Sequence, residues 1–424
     1  MTYWPKGLWQ HTDFLKLWGG QTLSMFGSLV GKIALPFLVI YTLQASPTQV
    51  AWVRVAEIAP GMLVALLAGV WIDRLQRRPI MLWADAGRAL VIGSIPVAYW
   101  LGHLTLIQVA AVAAVVSLLT VCFDIAYEAY LPTLVEPEHV LDANSKLSAT
   151  VSIAEVAGFG IAGALFQLIG GAFTLAIDAI SFVISACSLA WIRKPEPPPA
   201  PSAAREPALH EAREGVKVLL ANRVLRSLAG IAGMGGHFGG VMGTVYVLYI
   251  SRDLQIAPGV QGVLYAFGGI SSFFGAALAE PVLRHFGLGK TLVAASVLGL
   301  VGYLLIGVAF GPYWLIVLLL IGQQLLGDGA DTIYQIHVTS LRQTVTPNHL
   351  LGRVNATWRL SNWLFVLVGT VAGGVLAEHI GLRATFLLAL AGRAVGLIWL
   401  LFSPVHRIRA MPAPAPAEPE HQWV

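Results

Sequence analysis

The sequence predicts an all-α integral membrane protein, with twelve transmembrane helices in two six-helix halves. Three observations carry that prediction. First, 57% of the 424 residues are hydrophobic and only 11% are charged, where a soluble domain carries about 25% charged residues. Second, the apolar stretches are too long for a soluble fold, and backbone groups in lipid must pair within their own segment, which requires helices. Third, the second half repeats the first. Pro137-Glu-His139-Val-Leu141 returns as Pro347-Asn-His349-Leu-Leu351, an offset of 210. One residue is then inserted, and Asn144, Gly158, Gly163, Ile169 and Gly170 return at an offset of 211 as Asn355, Gly369, Gly374, Ile380 and Gly381. Many secondary transporters are built from such repeated halves, with a substrate path at the repeat interface.

At roughly 20 residues per span, the apolar runs divide into helices near 13–43, 48–72, 79–101, 104–131, 146–169 and 171–191, then 222–250, 258–281, 290–310, 312–340, 353–377 and 381–403. The stretch Lys194-Pro-Glu-Pro-Pro-Pro-Ala-Pro-Ser has the composition of a stiff extended linker. His210 to Leu220 reads as a short charged surface helix. The expected organisation is a first bundle over 1–191, a linker over 192–221, a second bundle over 222–405 and a disordered tail over 406–424. Residues 1–12 are polar and aromatic, and no cleavable signal is read in them. Cys122 and Cys187 fall inside spans and read as small apolar residues.

Charge placement gives the orientation. With both termini in the cytoplasm, that side receives Lys6, Lys16, Arg74, Arg77, Arg78, Lys146, Arg193, Lys194, Arg284, Lys290, Arg342, Arg353, Arg407 and Arg409, while the outer loops hold only Arg252 and Arg383. This is the positive-inside pattern. The net charge of +4 is thereby a matter of topology, and no nucleic-acid partner is expected.

Enzymatic classes find no support. His210-Glu211-Ala-Arg-Glu214 begins like a zinc-protease helix but lacks the second His. Gly289-Lys290-Thr291 ends like a phosphate loop, but Arg284 stands where the leading Gly is required. No nucleophile motif or metal-ligand pair lies in the spans, and no metal or cofactor is expected.

Gly69-Val-Trp-Ile-Asp73-Arg74-Leu-Gln-Arg77-Arg78 joins the second and third spans through a tight charged loop. It reads either as an ordinary positive-inside turn or as something more specific. It resembles the signature loop of the major facilitator superfamily, with Gln76 in place of the usual Gly. The resemblance implies a cytoplasmic latch between the halves, built on Gly69, Asp73, Arg74, Arg77 and Arg78, and Glu128 is expected to pair near Arg77. Glu280-Pro-Val-Leu-Arg284 is the weaker copy in the second half. Phe123-Asp-Ile-Ala126, Ala129-Tyr-Leu-Pro132, Ile177-Asp178-Ala-Ile-Ser181-Phe182 and Leu351-Gly352-Arg353-Val354-Asn355-Ala356 together resemble the bacterial drug:proton antiporter branch. That branch includes macrolide-efflux and enterobactin-exporter-like proteins. Gly158-Phe159-Gly160-Ile-Ala-Gly163 is similar to the exporters' glycine motif, with Phe159 replacing its Pro; equally, such glycines serve close helix packing.

Charged residues inside spans are expensive, so those retained face a partner or water. Asp328 and Asp331 share a face of the tenth span, and two close carboxylates resist joint ionisation. They are candidates for proton coupling, or for pairing with Arg359 and Arg393. Asp124 and Glu128 share a face of the fourth span, which lines the pathway in the resembled family. Glu155 and His237 are further proton candidates; a lone His also serves packing. Lys32 reads as an anion contact or as the partner of an acid. Arg54 with Glu57, and Asp85 with Arg88, are spaced to pair along their own helices. Tyr127, Tyr246, Tyr334 and Trp363 are candidate cavity walls, with Lys32 and Arg359 beside them. The resulting expectation is a monomeric, proton-coupled multidrug or macrolide-type exporter in the bacterial inner membrane. Siderophore export, lysolipid transport and a scaffold that has lost transport are the alternatives.

Overall fold

The computed structural model describes residues 8, 11–72, 75–196 and 208–412. The calls on Asp73, Arg74, most of the Pro-rich linker and the end of the tail therefore lie outside the described residues. The helices are α1 (Thr12–Phe37), α2 (Pro47–Ile72), α3 (Arg77–Trp100), α4 (Leu106–Leu134), α5 (Val140–Ile169) and α6 (Gly171–Ala190), then α7 (Ala208–Ala221), α8 (Arg223–Leu248), α9 (Pro258–Phe286), α10 (Leu288–Gly307), α11 (Tyr313–Thr344), α12 (Leu351–Ile380) and α13 (Leu382–Phe402). Eleven spans among the described residues are long and apolar enough to cross a bilayer. The 26-residue α2, uncharged from 61 to 72, joins them as the twelfth. α7 is the short linker helix.

The repeat is stricter in structure than in sequence. Helices α1, α2, α3, α5 and α6 begin 211 residues before α8, α9, α10, α12 and α13. The 3₁₀ turns Pro137–His139 and Asn348–Leu350 keep the same offset, so no residue is inserted there. Both α1 and α8 run into a five-residue π-turn, Leu38–Thr42 and Tyr249–Asp253. Gln44 and Gln255 then take positive φ values of 51° and 56°, and Pro47 and Pro258 begin the next helix at its first turn, where Pro lacks no needed donor. Gly170 and Gly381, with φ of 79° and 83°, make the sharp corners before α6 and α13.

The chain forms two compact units. One comprises residues 1–205 with Ile250–Ala266, the other 206–249 with Phe267–Val424. In the first, α1 packs on α5 and α6, and α3 packs on α4 and α6; α8, α12, α13, α10 and α11 repeat this pattern in the second. Small residues allow the close approaches. A Cβ on Gly163 of α5 would lie 2.5 Å from the Pro258 carbonyl oxygen and 2.7 Å from Gly262 Cα. The Phe159 ring leans on Tyr265 at 6.1 Å beside this contact. In the second unit, Gly240 of α8 and Gly369 of α12 face backbone of the opposite helix. The halves also exchange large for small: Ser181 of α6 fills the space beside Gly27 of α1, whereas Phe238 of α8 fills the space beside Gly392 of α13.

Candidate functional site

The second unit contains a cavity of about 290 Å³ whose lining includes Asp331, Tyr334, Trp358, Asn362 and Arg393. α11 supplies Asp331 and Tyr334, α12 supplies Trp358 and Asn362, and α13 supplies Arg393. The Arg393 guanidinium lies 3.8 Å from the Asp331 carboxylate and rests on the Tyr303 ring, 4.9 Å from its centroid. Asp328, one helical turn before Asp331, packs against Gly268 of α9, with Gln324 beside it. Gly268 lacks a Cβ, which leaves room for that carboxylate. Asp328 has no ion-pair partner among the described residues and interacts electrostatically with Asp331. The cavity wall thus carries one carboxylate, Asp331, paired with one guanidinium, among apolar, aromatic and neutral polar side chains such as Asn362 and Gln335, while the second carboxylate, Asp328, lies one turn away on α11. It can hold a cation, a proton or the charged end of an amphiphile.

The other predicted cavity residues divide. Tyr246 reaches Gln323 at 3.4 Å, and Gln323 is buried. Arg359 is exposed and stacks on Trp363 at 5.6 Å, so of the two arginines only Arg393 pairs with a span carboxylate. The backbone of His237 closes the contact with Gly369, and its ring lies edge-on to Phe238. Glu155 is exposed on α5, and Tyr127 stacks on Phe123 at 6.0 Å, both in the first unit. Lys32 interacts electrostatically with Glu57 of α2, as does Arg54.

The first unit encloses a second charge group that the sequence revealed only in part. Asp85 and Arg88 of α3 form the expected ion pair, and they are 0% and 4% exposed. The guanidinium lies between two rings, 4.5 Å from Phe123 and 4.2 Å from Phe182. Asp178 of α6, 4% exposed, inserts its carboxylate against Gly27 and Gly31 of α1. One of its oxygens, Oδ1, has no hydrogen-bond partner. Asp124 and Asp178 both interact electrostatically with Arg88. In the sequence Asp178 stands out only as part of the stretch Ile177-Asp178-Ala-Ile-Ser181-Phe182. The available signal was a carboxylate in an apolar run, matched by two glycines four residues apart on α1.

Arg77 and Arg78 are held within their own unit. The backbone N–H groups of Arg77 and Arg78 donate to the Glu196 carboxylate at 2.7 and 3.0 Å, and the Arg77 side chain pairs with the same carboxylate at 3.6 Å. The Arg78 guanidinium donates to the Leu189 and Ala190 carbonyls at 3.0 and 2.8 Å. Arg77 therefore pairs with Glu196 rather than with Glu128, which is exposed on α4 beside Asp124. A carboxylate at a helix N-terminus satisfies orphan donors and the helix dipole. Replacing Glu196 with Ala is expected to cost about 1–2 kcal/mol, measurable by chemical denaturation in micelles. Gly69 lies in α2. Glu280 and Arg284 pair along α9 on an exposed face.

Comparison with known proteins places this architecture. A family model described as transmembrane secretion effector matches residues 7–422. The multidrug efflux pump Tap of Mycolicibacterium fortuitum is 27% identical over 370 residues, covering 85% of this chain and 88% of Tap. The enterobactin exporter EntS of Escherichia coli O81 (strain ED1a) is 28% identical over 271 residues, covering 63% of this chain and 61% of EntS. The crystal structure of a bacterial homologue of the iron transporter ferroportin shares the fold, with a TM-score of 0.73 and 19% identity over 92% of this chain and 98% of that one. The chain belongs to the transmembrane secretion effector family of the major facilitator superfamily, a superfamily of membrane transporters and not of enzymes.

Proposed function

We propose that this transporter exports amphiphilic or cationic small molecules across the bacterial cytoplasmic membrane in exchange for protons. The observation that carries the reading is the arrangement on α11, where Asp331 meets Arg393 at the cavity wall while Asp328 beside it lacks a cation. A proton and a cationic substrate would compete for this carboxylate pair. Either one offsets a charge that is expensive inside a membrane. Mutual exclusion at one site gives exchange, provided the two bind with different affinity in the two access states. The similarity to Tap, a multidrug efflux pump, supports a drug as cargo. Both termini would lie in the cytoplasm, by the excess of Lys and Arg on that side. The segment from Gly69 at the end of α2 through Asp73 and Arg74 to Arg77 and Arg78 at the start of α3 would latch the outward-open state, with a single chain as the working unit. A siderophore cargo is the second reading. It is supported by the similarity to EntS and by Arg393, whose guanidinium suits an anionic oxygen ligand.

The test is substrate-triggered proton movement in proteoliposomes, read with a pH-sensitive dye against cationic drugs and siderophores. Wild type is expected to move protons on addition of its cargo, and Asp328→Asn with Asp331→Asn is expected to abolish that signal. Substrate flux without proton movement in the wild type would overturn the antiport reading. Proton movement triggered by siderophores and not by drugs would favour the second cargo.

A further inference from the structure

We propose that His11, Glu136 and His139 form a binding site for a divalent transition metal, at the corner where α1 begins and α4 turns into α5. His11 precedes α1, and Glu136 and His139 flank and close the 3₁₀ turn between α4 and α5. One ligand atom from each of the three side chains lies within 4.8 Å of the others. The His139 Nε2 atom is 3.8 Å from the Glu136 carboxylate, and the two imidazole centroids are 5.5 Å apart. The Glu138 carboxylate, also 3.8 Å from His139 Nε2, is in reach as a further ligand.

The two imidazoles are free for this role in a way that three others in the chain are not. His337, His379 and His406 each bond through Nδ1 to a carbonyl of their own helix or turn. Neither His11 nor His139 makes a side-chain hydrogen bond among the described residues. Metal–nitrogen and metal–oxygen bonds of about 2.0–2.2 Å place tetrahedral ligand atoms about 3.3 Å apart. The side chains thus need to close by at most about 1.5 Å around the ion, which their partial or full exposure permits. Two imidazoles and a carboxylate select Zn²⁺, Co²⁺, Ni²⁺ or Cu²⁺ over Mg²⁺ or Ca²⁺, which prefer all-oxygen shells.

Residues 11 and 139 are too far apart in sequence for spacing rules to find the site. A bound ion would fasten the start of α1 to the α4–α5 turn, adding to the side-chain packing that the two elements share there. Occupancy would then bias the conformational freedom of the α1 terminus, giving the carrier a response to metal that is separate from its cargo site.

The experiment is Co²⁺ titration of the full chain in detergent micelles, with any affinity tag removed, followed by visible absorption, and Zn²⁺ titration by calorimetry. One saturable equivalent is expected. His11→Ala and His139→Ala should each weaken binding by at least about tenfold, and His139→Cys should restore it with a thiolate-to-Co²⁺ band. The restored band separates loss of a ligand from loss of fold. A wild-type melting temperature raised by Zn²⁺ is a second readout that needs no variant. Absence of saturable binding, or binding that survives His11→Ala with His139→Ala, would overturn the proposal.

Discussion

Arg88→Met destabilises the first unit by about 3–5 kcal/mol, because it leaves buried carboxylates without their cation. Asp85 is 0% exposed and already has one oxygen, Oδ2, without a hydrogen-bond partner. Asp178 is almost as deeply enclosed and interacts electrostatically with the same guanidinium. Removing Arg88 also empties the space between Phe123 and Phe182. Met fills part of that volume and none of the charge. The measurement is unfolding in mixed micelles, followed by tryptophan fluorescence. A double substitution, Arg88→Met with Asp85→Leu, should recover much of the loss, since replacing both partners of a buried pair by apolar groups is often neutral. Equal stability of the single variant and wild type would show that the charges are solvated in the membrane-embedded protein.

Gly369→Ala is the second large effect, and it acts through shape alone. A Cβ at this position of α12 would collide with the carbonyl group of His237 on α8, with 2.7 Å to its carbon and 3.1 Å to its Cα. Backbone cannot rotate away as a side chain can, so the two helices must separate. Overpacking of this kind costs about 1–3 kcal/mol. The separation would also loosen Gly240, which faces Val366 and Thr370 across the same interface. Gly352→Ala, near the start of α12, is the matched control. Nothing lies within 4 Å of its added Cβ, and Ala is the better helix former by about 1 kcal/mol. The two substitutions should therefore shift the denaturation midpoint in opposite directions. A shared direction would mean that helix propensity, and not the α8–α12 contact, dominates.

The helices were legible because they depend on local information. Apolar runs of bilayer length announce themselves, and each predicted span has its helix within a few residues. Pairs along one helix, such as Asp85 with Arg88 and Arg54 with Glu57, follow from spacing. The Asp331–Arg393 pair was accessible in part, since a carboxylate inside a span demands a cation and few are available. What remained hidden depends on pairs distant in sequence. Glu196 captures the backbone of Arg77 and Arg78 from beyond α6. Asp178 finds its place against glycines of α1. His11 meets His139 across most of the first bundle's length of chain. No periodicity connects such residues; only the packing of helices does. The apparent insertion near Pro347 had a similar origin. Two Pro-containing turns matched by residue identity lie one position away from their match by structure.

The constant offset between the halves also makes one displacement visible. Phe182 of α6, which covers the enclosed guanidinium of Arg88, corresponds to Arg393 of α13, which carries the guanidinium at the cavity. Arg88 itself corresponds to Gly299 of α10, so the guanidinium stands on a different helix in each half. The two halves therefore use their charges differently: one keeps them sealed as a keystone, the other presents them to a void. Substitutions around the void are expected to leave the fold intact, whereas a single substitution in the keystone is expected to cost stability unless its partner is replaced with it.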